Sequence, residues 1–360
     1  MSFLMKYRMN PDLNKKNENK VARNNYLDFC RGIGAINIII IHTAFWSGGS
    51  YVPVIIQSLT LLLDVPFFFF LAGWGRAYSP TFFKTIISLF DIYKKYVFFI
   101  SIYFISLWLW KEKSATGGLH NYLSYLSFIN EKDTALMVIM GSIWFLPVFF
   151  AVVPLCMLVI QEINKCSNGE QRKKGINTFI LILLVLFIWA QMGQQYLFFT
   201  KEMLFYGFIF VLGYWSLDKE ISKKWIFVSL LILFSAGSWL VSHMLGEYIW
   251  NVQNLKFPPH ILYLMMSMIA VVITMYYKNK FIPSDKNIFV WVGKNAIWYY
   301  FAQGVSSSLL FYVVNHFESV WLIKYFICIM INILLTTVIV YFLKWLYQLF
   351  VELARIICQE

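Results

Sequence analysis

The chain has 360 residues, of which 60% are hydrophobic and 20% aromatic, while 13% are charged, about half the charged share of a water-soluble domain. A soluble globular domain is excluded by that balance, and a bilayer is the environment that suits it. The net charge of +12 requires no nucleic-acid partner, because basic loops retained beside an anionic leaflet account for it.

Apolar blocks long enough, as helices, to cross a hydrocarbon layer of about 30 Å recur along the sequence. They predict an all-α, polytopic transmembrane helical bundle of ten spans. In chain order these are Leu27–Trp46, Val54–Ala72, Ile86–Trp110, Leu136–Ile160, Ile176–Ala190, Met203–Leu217, Trp225–Leu245, Ile261–Tyr277, Ile288–Val314 and Val320–Leu343. Residues 1–26, which contain NKKNENK and no apolar stretch, read as a solvated cytoplasmic tail. Residues 27–343 form the transmembrane domain and 344–360 a second cytoplasmic tail. The first span lacks a small-residue cleavage pattern and is expected to be retained.

Orientation follows from the basic residues. With the N-terminus inside, inward segments hold 22 Lys and Arg and outward segments hold six, an imbalance that obeys the positive-inside rule and puts both termini in the cytoplasm. The five cysteines avoid the outward loops and match no zinc or haem spacing, so neither a disulfide framework nor a metal is expected.

The first span carries the sharpest chemical signal, in the stretch LDFCRGIGAINIIIIHT. Arg31 and His42 are 11 residues apart. At about 100° and 1.5 Å per residue, they share one helix face about 16 Å apart along the axis. Asp28, one turn before Arg31, is placed to pair with it. Intramembrane ionisable residues are costly and tend to mark sites. The plain alternative is a snorkelling arginine at one interface and an interhelical histidine near the other.

Later spans add polar residues with two readings each. Asp64, with Pro66 two residues on, suggests an irregular helix lining a cavity, or a carboxylate paired with a neighbouring cation. Arg76 reads as an interfacial anchor and Trp144 as packing rather than substrate contact. Asn295 and Gln303 either line a site or bond helix to helix, the second being the commoner use. His120, His243, His260 and His316 fall at or beyond span ends, where a histidine needs no function.

Several of these residues lie in short motifs whose order is more telling than any one of them. An Arg, ten residues and a His after a YLD lead-in resembles the first-span pattern of the acyltransferase 3 family of integral-membrane O-acyltransferases. DVPFFFFLAGW (Asp64 to Trp74) is similar to that family's second-span motif, with Ala72 in place of its serine. SIWFLPVFF (Ser142 to Phe150) resembles its Trp-Phe-Leu element, and KFPPH (Lys256 to His260) a Pro-Pro seen in some members. GKNAIWYYFAQG (Gly293 to Gly304) is similar to its late Tyr-x-x-His motif, with Tyr300 matched and Gln303 where the histidine is common.

The resemblance implies transfer of an acyl group, usually acetyl, from cytoplasmic acyl-CoA to a sugar hydroxyl of a surface polysaccharide or a lipid-linked precursor. It implies a multi-pass protein of the bacterial cytoplasmic membrane, with acetyl-CoA, a glycan acceptor and membrane lipids as partners. Arg31 is then expected to meet the phosphates of coenzyme A, and His42 to act as base or acyl carrier. Asp28, Asp64, Trp144, Asn295, Tyr300 and Gln303 are possible site lining. The competing reading is a transporter or flippase for an envelope glycoconjugate, which also suits a basic-inside bundle with a membrane histidine. Neither the identity of the acceptor nor the oligomeric state is legible.

Overall fold

The computed structural model of the protein describes residues 23–47, 51–110, 118–128, 136–193, 198–219, 251–314 and 318–357, with isolated positions 228, 235, 239, 243 and 316. Its regular structure is helical: α1 (Asn25–Trp46), α2 (Val54–Thr60), α3 (Val65–Ala77), α4 (Phe82–Trp110), α5 (Gly118–Leu126), α6 (Met137–Ile143), α7 (Phe145–Asn164), α8 (Gly169–Met192), α9 (Phe198–Trp215), α10 (Ile261–Tyr277), α11 (Ile288–Lys294), α12 (Ala296–Val314) and α13 (Trp321–Ile357). Among the described residues, six helical segments are long and apolar enough to cross a membrane: Asn25–Trp46, Val54–Ala77, Phe82–Leu109, Gly141–Asn164, Gly169–Met192 and Trp321–Ile357. Ile261–Tyr277 is a shorter apolar helix. Of the expected span at 225–245 only positions 228, 235, 239 and 243 are described, and residues 1–22 of the expected tail lie outside the described residues.

The irregularity that the sequence suggests at Asp64 is present, and other boundaries depart from the sequence reading. The second apolar block is interrupted: α2 runs into a 3-10 turn at Leu61–Leu63, Asp64 is extended, and α3 restarts with a proline in its first turn. That proline lacks only an N–H which a first turn leaves unbonded anyway. In an apolar setting the carbonyls freed by the break need internal partners. Asn37 of α1 supplies them, its side-chain amide donating to Thr60 O at 2.7 Å and Leu63 O at 3.0 Å. The ninth block is divided at Asn295 into α11 and α12. The last helix runs on past Leu343 to Ile357, at about 1.5 Å per residue some 55 Å long.

Two close helix pairs fix the bundle. A Cβ on Gly32 of α1 would lie 1.9 Å from Phe289 O, and one on Gly293 of α11 would lie 1.7 Å from Asp28 O, so these backbones touch where side chains would hold them apart. Gly73 of α3 and Gly213 of α9 do the same, since an added Cβ on either would fall within about 2 Å of a carbonyl on the other helix. Small residues at contacts are how helices approach where lipid gives no hydrophobic drive. Two large apolar clusters make up most of the interior. One gathers Phe69, Phe70 and Trp74 of α3 with Phe205 and Phe210 of α9 and Tyr263 of α10. The other gathers Tyr96 and Phe99 of α4 with Tyr299 and Phe301 of α12.

Candidate active site

Between these clusters lies a cavity of about 420 Å³, walled by α1, α3, α4, α7 and α12. Helix register orders its lining. Arg31 and Arg76 stand at the end of the bundle where α1 begins, and Val65, Ile38 and Gln303 stand deeper. Val65 and Arg76, both on the wall, are 11 residues apart on α3, about 16 Å at 1.5 Å per residue. The walls between are apolar, including Ala35, Phe68, Leu71, Ala72 and Phe149.

At the arginine end, Asn24 caps α1 by accepting the backbone N–H of Leu27 at 3.0 Å, which sets the helix start one turn before the charged pair. Asp28 is buried and accepts from Arg31 Nη1 at 3.2 Å, as the one-turn spacing predicts, and from the Arg23 guanidinium as well. One carboxylate thus leaves Arg31, half-buried and on the cavity wall, with donors to spare. Gly75 makes room for it: a Cβ there would lie 2.8 Å from Arg31 Nη2. Arg76 donates to Ser88 Oγ at 3.1 Å, so the sequence reading of it as a plain interfacial anchor misses its place on the cavity wall.

At the deep end, His42 is half-buried, and Gln303, Asp64 and Lys256 face its imidazole. Gln303 is 1% exposed and lies on the cavity wall. His42 Nδ1 and Gln303 Oε1 are two of the four buried polar atoms without a hydrogen-bond partner among the described residues. Tyr300, also on the wall, donates to Ser142 O at 2.6 Å. Ala72 and Gln303, the two departures from the motifs, therefore both line the cavity.

Asp64 forms a buried ion pair. Lys256 Nζ and Tyr263 Oη each donate to its Oδ2 at 2.7 Å, and the rings of Trp144 and Phe257 lie 5.3 and 5.4 Å from the ammonium. The chain is irregular at Asp64 and the carboxylate is paired with a cation, while Val65 beside it is the residue on the cavity wall. With its carboxylate so engaged it makes no side-chain cap for α3. Lys256 lies between two of the predicted spans, yet it is 7% exposed, following the 3-10 turn Val252–Leu255, whose apolar ends are buried. A 192-residue separation between Asp64 and Lys256 leaves no spacing signal in the sequence.

The remaining residues separate cleanly. Asn295 donates to Trp291 O at 2.8 Å and accepts from Lys344 Nζ at 2.7 Å, the helix-to-helix role. Trp144 packs against Phe257 and Lys256 rather than on the cavity wall. His260 caps α10, His243 stacks on Trp239, and His316 is exposed, all away from the cavity wall. The side chain of His120 lies outside the described residues.

This arrangement defines a multi-pass helical membrane protein built around an internal, largely apolar cavity, with guanidinium groups at one end and Gln303, beside the His42 imidazole, at the other. The chain belongs to the acyltransferase 3 family: the family model, described as an acyltransferase domain, matches residues 24–342. Membrane acyl transfer is the activity that this membership indicates. No curated protein and no solved structure matches the chain.

Proposed function

We propose that the protein is an O-acetyltransferase that takes acetyl-CoA from the cytoplasm and acetylates a sugar hydroxyl of a cell-surface polysaccharide or its lipid-linked precursor. The observation that carries this reading is the cavity with two arginines at one end and Gln303 beside His42 at the other. Phosphates bind guanidinium forks by charge-assisted, bidentate hydrogen bonds, which suits Arg31 and Arg76 at the mouth. Ala35, Phe68, Leu71 and Phe149 give the thin, weakly polar pantetheine arm an apolar, water-excluding path. The acyl thioester is then presented near His42.

A hydroxyl is a poor nucleophile at neutral pH, and an imidazole within reach is the natural base. His42 accepts the acceptor's proton as the hydroxyl oxygen attacks the thioester carbonyl. A C–O bond forms, the C–S bond breaks, and the imidazolium returns its proton to the departing thiolate. No metal is required in this scheme. In this reading the arginine end, with the tails at 1–26 and 344–360, faces the cytoplasm, in keeping with 22 inward against six outward basic residues.

The test is twofold. Purified protein in nanodiscs is expected to bind acetyl-CoA, and NMR of the host's surface polysaccharides is expected to lose O-acetyl signals when the protein is removed. Polysaccharide that keeps its acetylation but fails to reach the surface would overturn the reading in favour of a carrier.

A further inference from the structure

Gln303, on the cavity wall, lies beside His42, and each residue carries one buried side-chain atom with no hydrogen-bond partner among the described residues, Oε1 and Nδ1 respectively. An unsatisfied buried polar atom costs about 1–3 kcal/mol, so two side by side favour the small rotation that pairs them. The orientation of the Gln303 amide is set independently. Its Nε2 donates to Tyr300 O at 3.1 Å, one turn back on α12, and Tyr300 is itself held across the bundle by its bond to Ser142 O. With Nε2 so engaged, Oε1 is the atom left to meet the histidine, and an amide oxygen can only accept. Opposite it, an Nδ1 bearing a lone pair would meet another lone pair, whereas an Nδ1 bearing hydrogen would donate.

We propose that Gln303 is the positioning residue for His42: its Oε1 holds the imidazole as the Nδ1–H tautomer, which leaves Nε2 as the nitrogen that takes the acceptor's proton. The inference deepens the acetyltransferase reading and rests on it for the role of Nε2, but the tautomer itself does not. A neutral imidazole has one donor and one acceptor nitrogen, and the partner of the first decides which is the second. Gln303 therefore touches no reacting atom. It fixes which ring nitrogen has a lone pair and keeps that nitrogen from rotating away from the thioester.

The tautomer is measurable without turnover. In ¹⁵N-histidine-labelled protein in nanodiscs, with the His42 signals identified by their loss in His42→Ala, magic-angle-spinning NMR is expected to show His42 protonated on Nδ1. In Gln303→Leu it is expected to shift to the Nε2–H form. Kinetics should follow, with Gln303→Leu lowering kcat about 10- to 100-fold at unchanged KM for acetyl-CoA, and Gln303→Glu, which keeps an accepting oxygen, recovering most of the loss. Wild-type His42 protonated on Nε2, or a tautomer indifferent to Gln303→Leu, would overturn the inference, and the wild-type spectrum decides even if the leucine variant does not fold. Wild-type protein with the expected tautomer that transfers no acetyl group would instead overturn the acetyltransferase reading.

Discussion

Asp28 and Asp64 are the two buried carboxylates around which the ends of the cavity are built, and they are built differently. Each has a side chain 1% exposed and each meets a cation. At Asp28 the partners are near in sequence and reach toward water, with the side chains of Arg23 and Arg31 59% and 31% exposed. At Asp64 the partner comes from 192 residues away and is itself enclosed, the Lys256 side chain being 9% exposed between two aromatic rings. The first end can lend a guanidinium to a ligand, because solvent and a second arginine share the charge. The second end can lend nothing without stranding an ion in a poorly solvating interior. Exchangeable binding and fixed architecture are thus divided between the two carboxylates.

The comparison breaks first at the histidine. If the Asp64 end is where bonds are made, His42→Ala should abolish acetyl transfer, a loss of about a thousandfold or more, with protein abundance unchanged. His243→Ala and His316→Ala should be nearly silent. Acetylation assays on the three purified variants decide it, and substantial turnover by His42→Ala would leave that end purely structural.

The ion pairs themselves come next. Asp64→Leu strands a buried ammonium and should lower stability by about 3–5 kcal/mol, while Asp64→Leu with Lys256→Met should recover most of it, because a buried pair is worth little against an apolar replacement. Thermal unfolding of the single and double variants in nanodiscs measures the recovery. An additive double variant would mean that the two residues do not act as a pair.

The Arg31 end should answer in binding rather than stability. A lysine keeps the charge but not the planar fork, so Arg31→Lys is expected to raise the KM for acetyl-CoA about tenfold, equivalent to about 1.4 kcal/mol, and to leave the acceptor's KM unmoved. Donor affinity equal to wild type would show that Arg31 makes no bidentate phosphate contact.

The smallest effect is expected at Arg23. Its side chain is exposed and Asp28 retains Arg31, so Arg23→Ala should change stability by less than about 1 kcal/mol. A larger loss in the same unfolding assay would mean that the Arg31–Asp28 pair is not sufficient by itself.

The difference between the ends also explains what could be read beforehand. Asp28 with Arg31, and Arg31 with His42, lie on one helix, where spacing converts directly into direction and height. The break at Asp64 was visible because the proline after it announces a restart. Lys256 was not, because nothing local distinguishes a lysine that points into the bundle from one that stays in a loop. Arg76 reads from the sequence only as an anchor, since its place on the cavity wall depends on α3 packing beside α1. Asn37 carries no signal in the sequence because the carbonyls it satisfies lie outside its own helix.

By itself, then, the sequence determined the helical, membrane-embedded class, most helix positions and the single face that carries Asp28, Arg31 and His42, since composition and a period of 3.6 residues are properties of one strand of chain. The tertiary structure decided everything that needs two helices at once. It set the glycine contacts that bring α1 to α11 and α3 to α9, the channel that runs from Arg31 and Arg76 to Gln303, and the pairing of Asp64 with Lys256. It also set Gln303 against His42. These depend on how residues far apart in the chain are packed, and at such separations no local periodicity survives to record them.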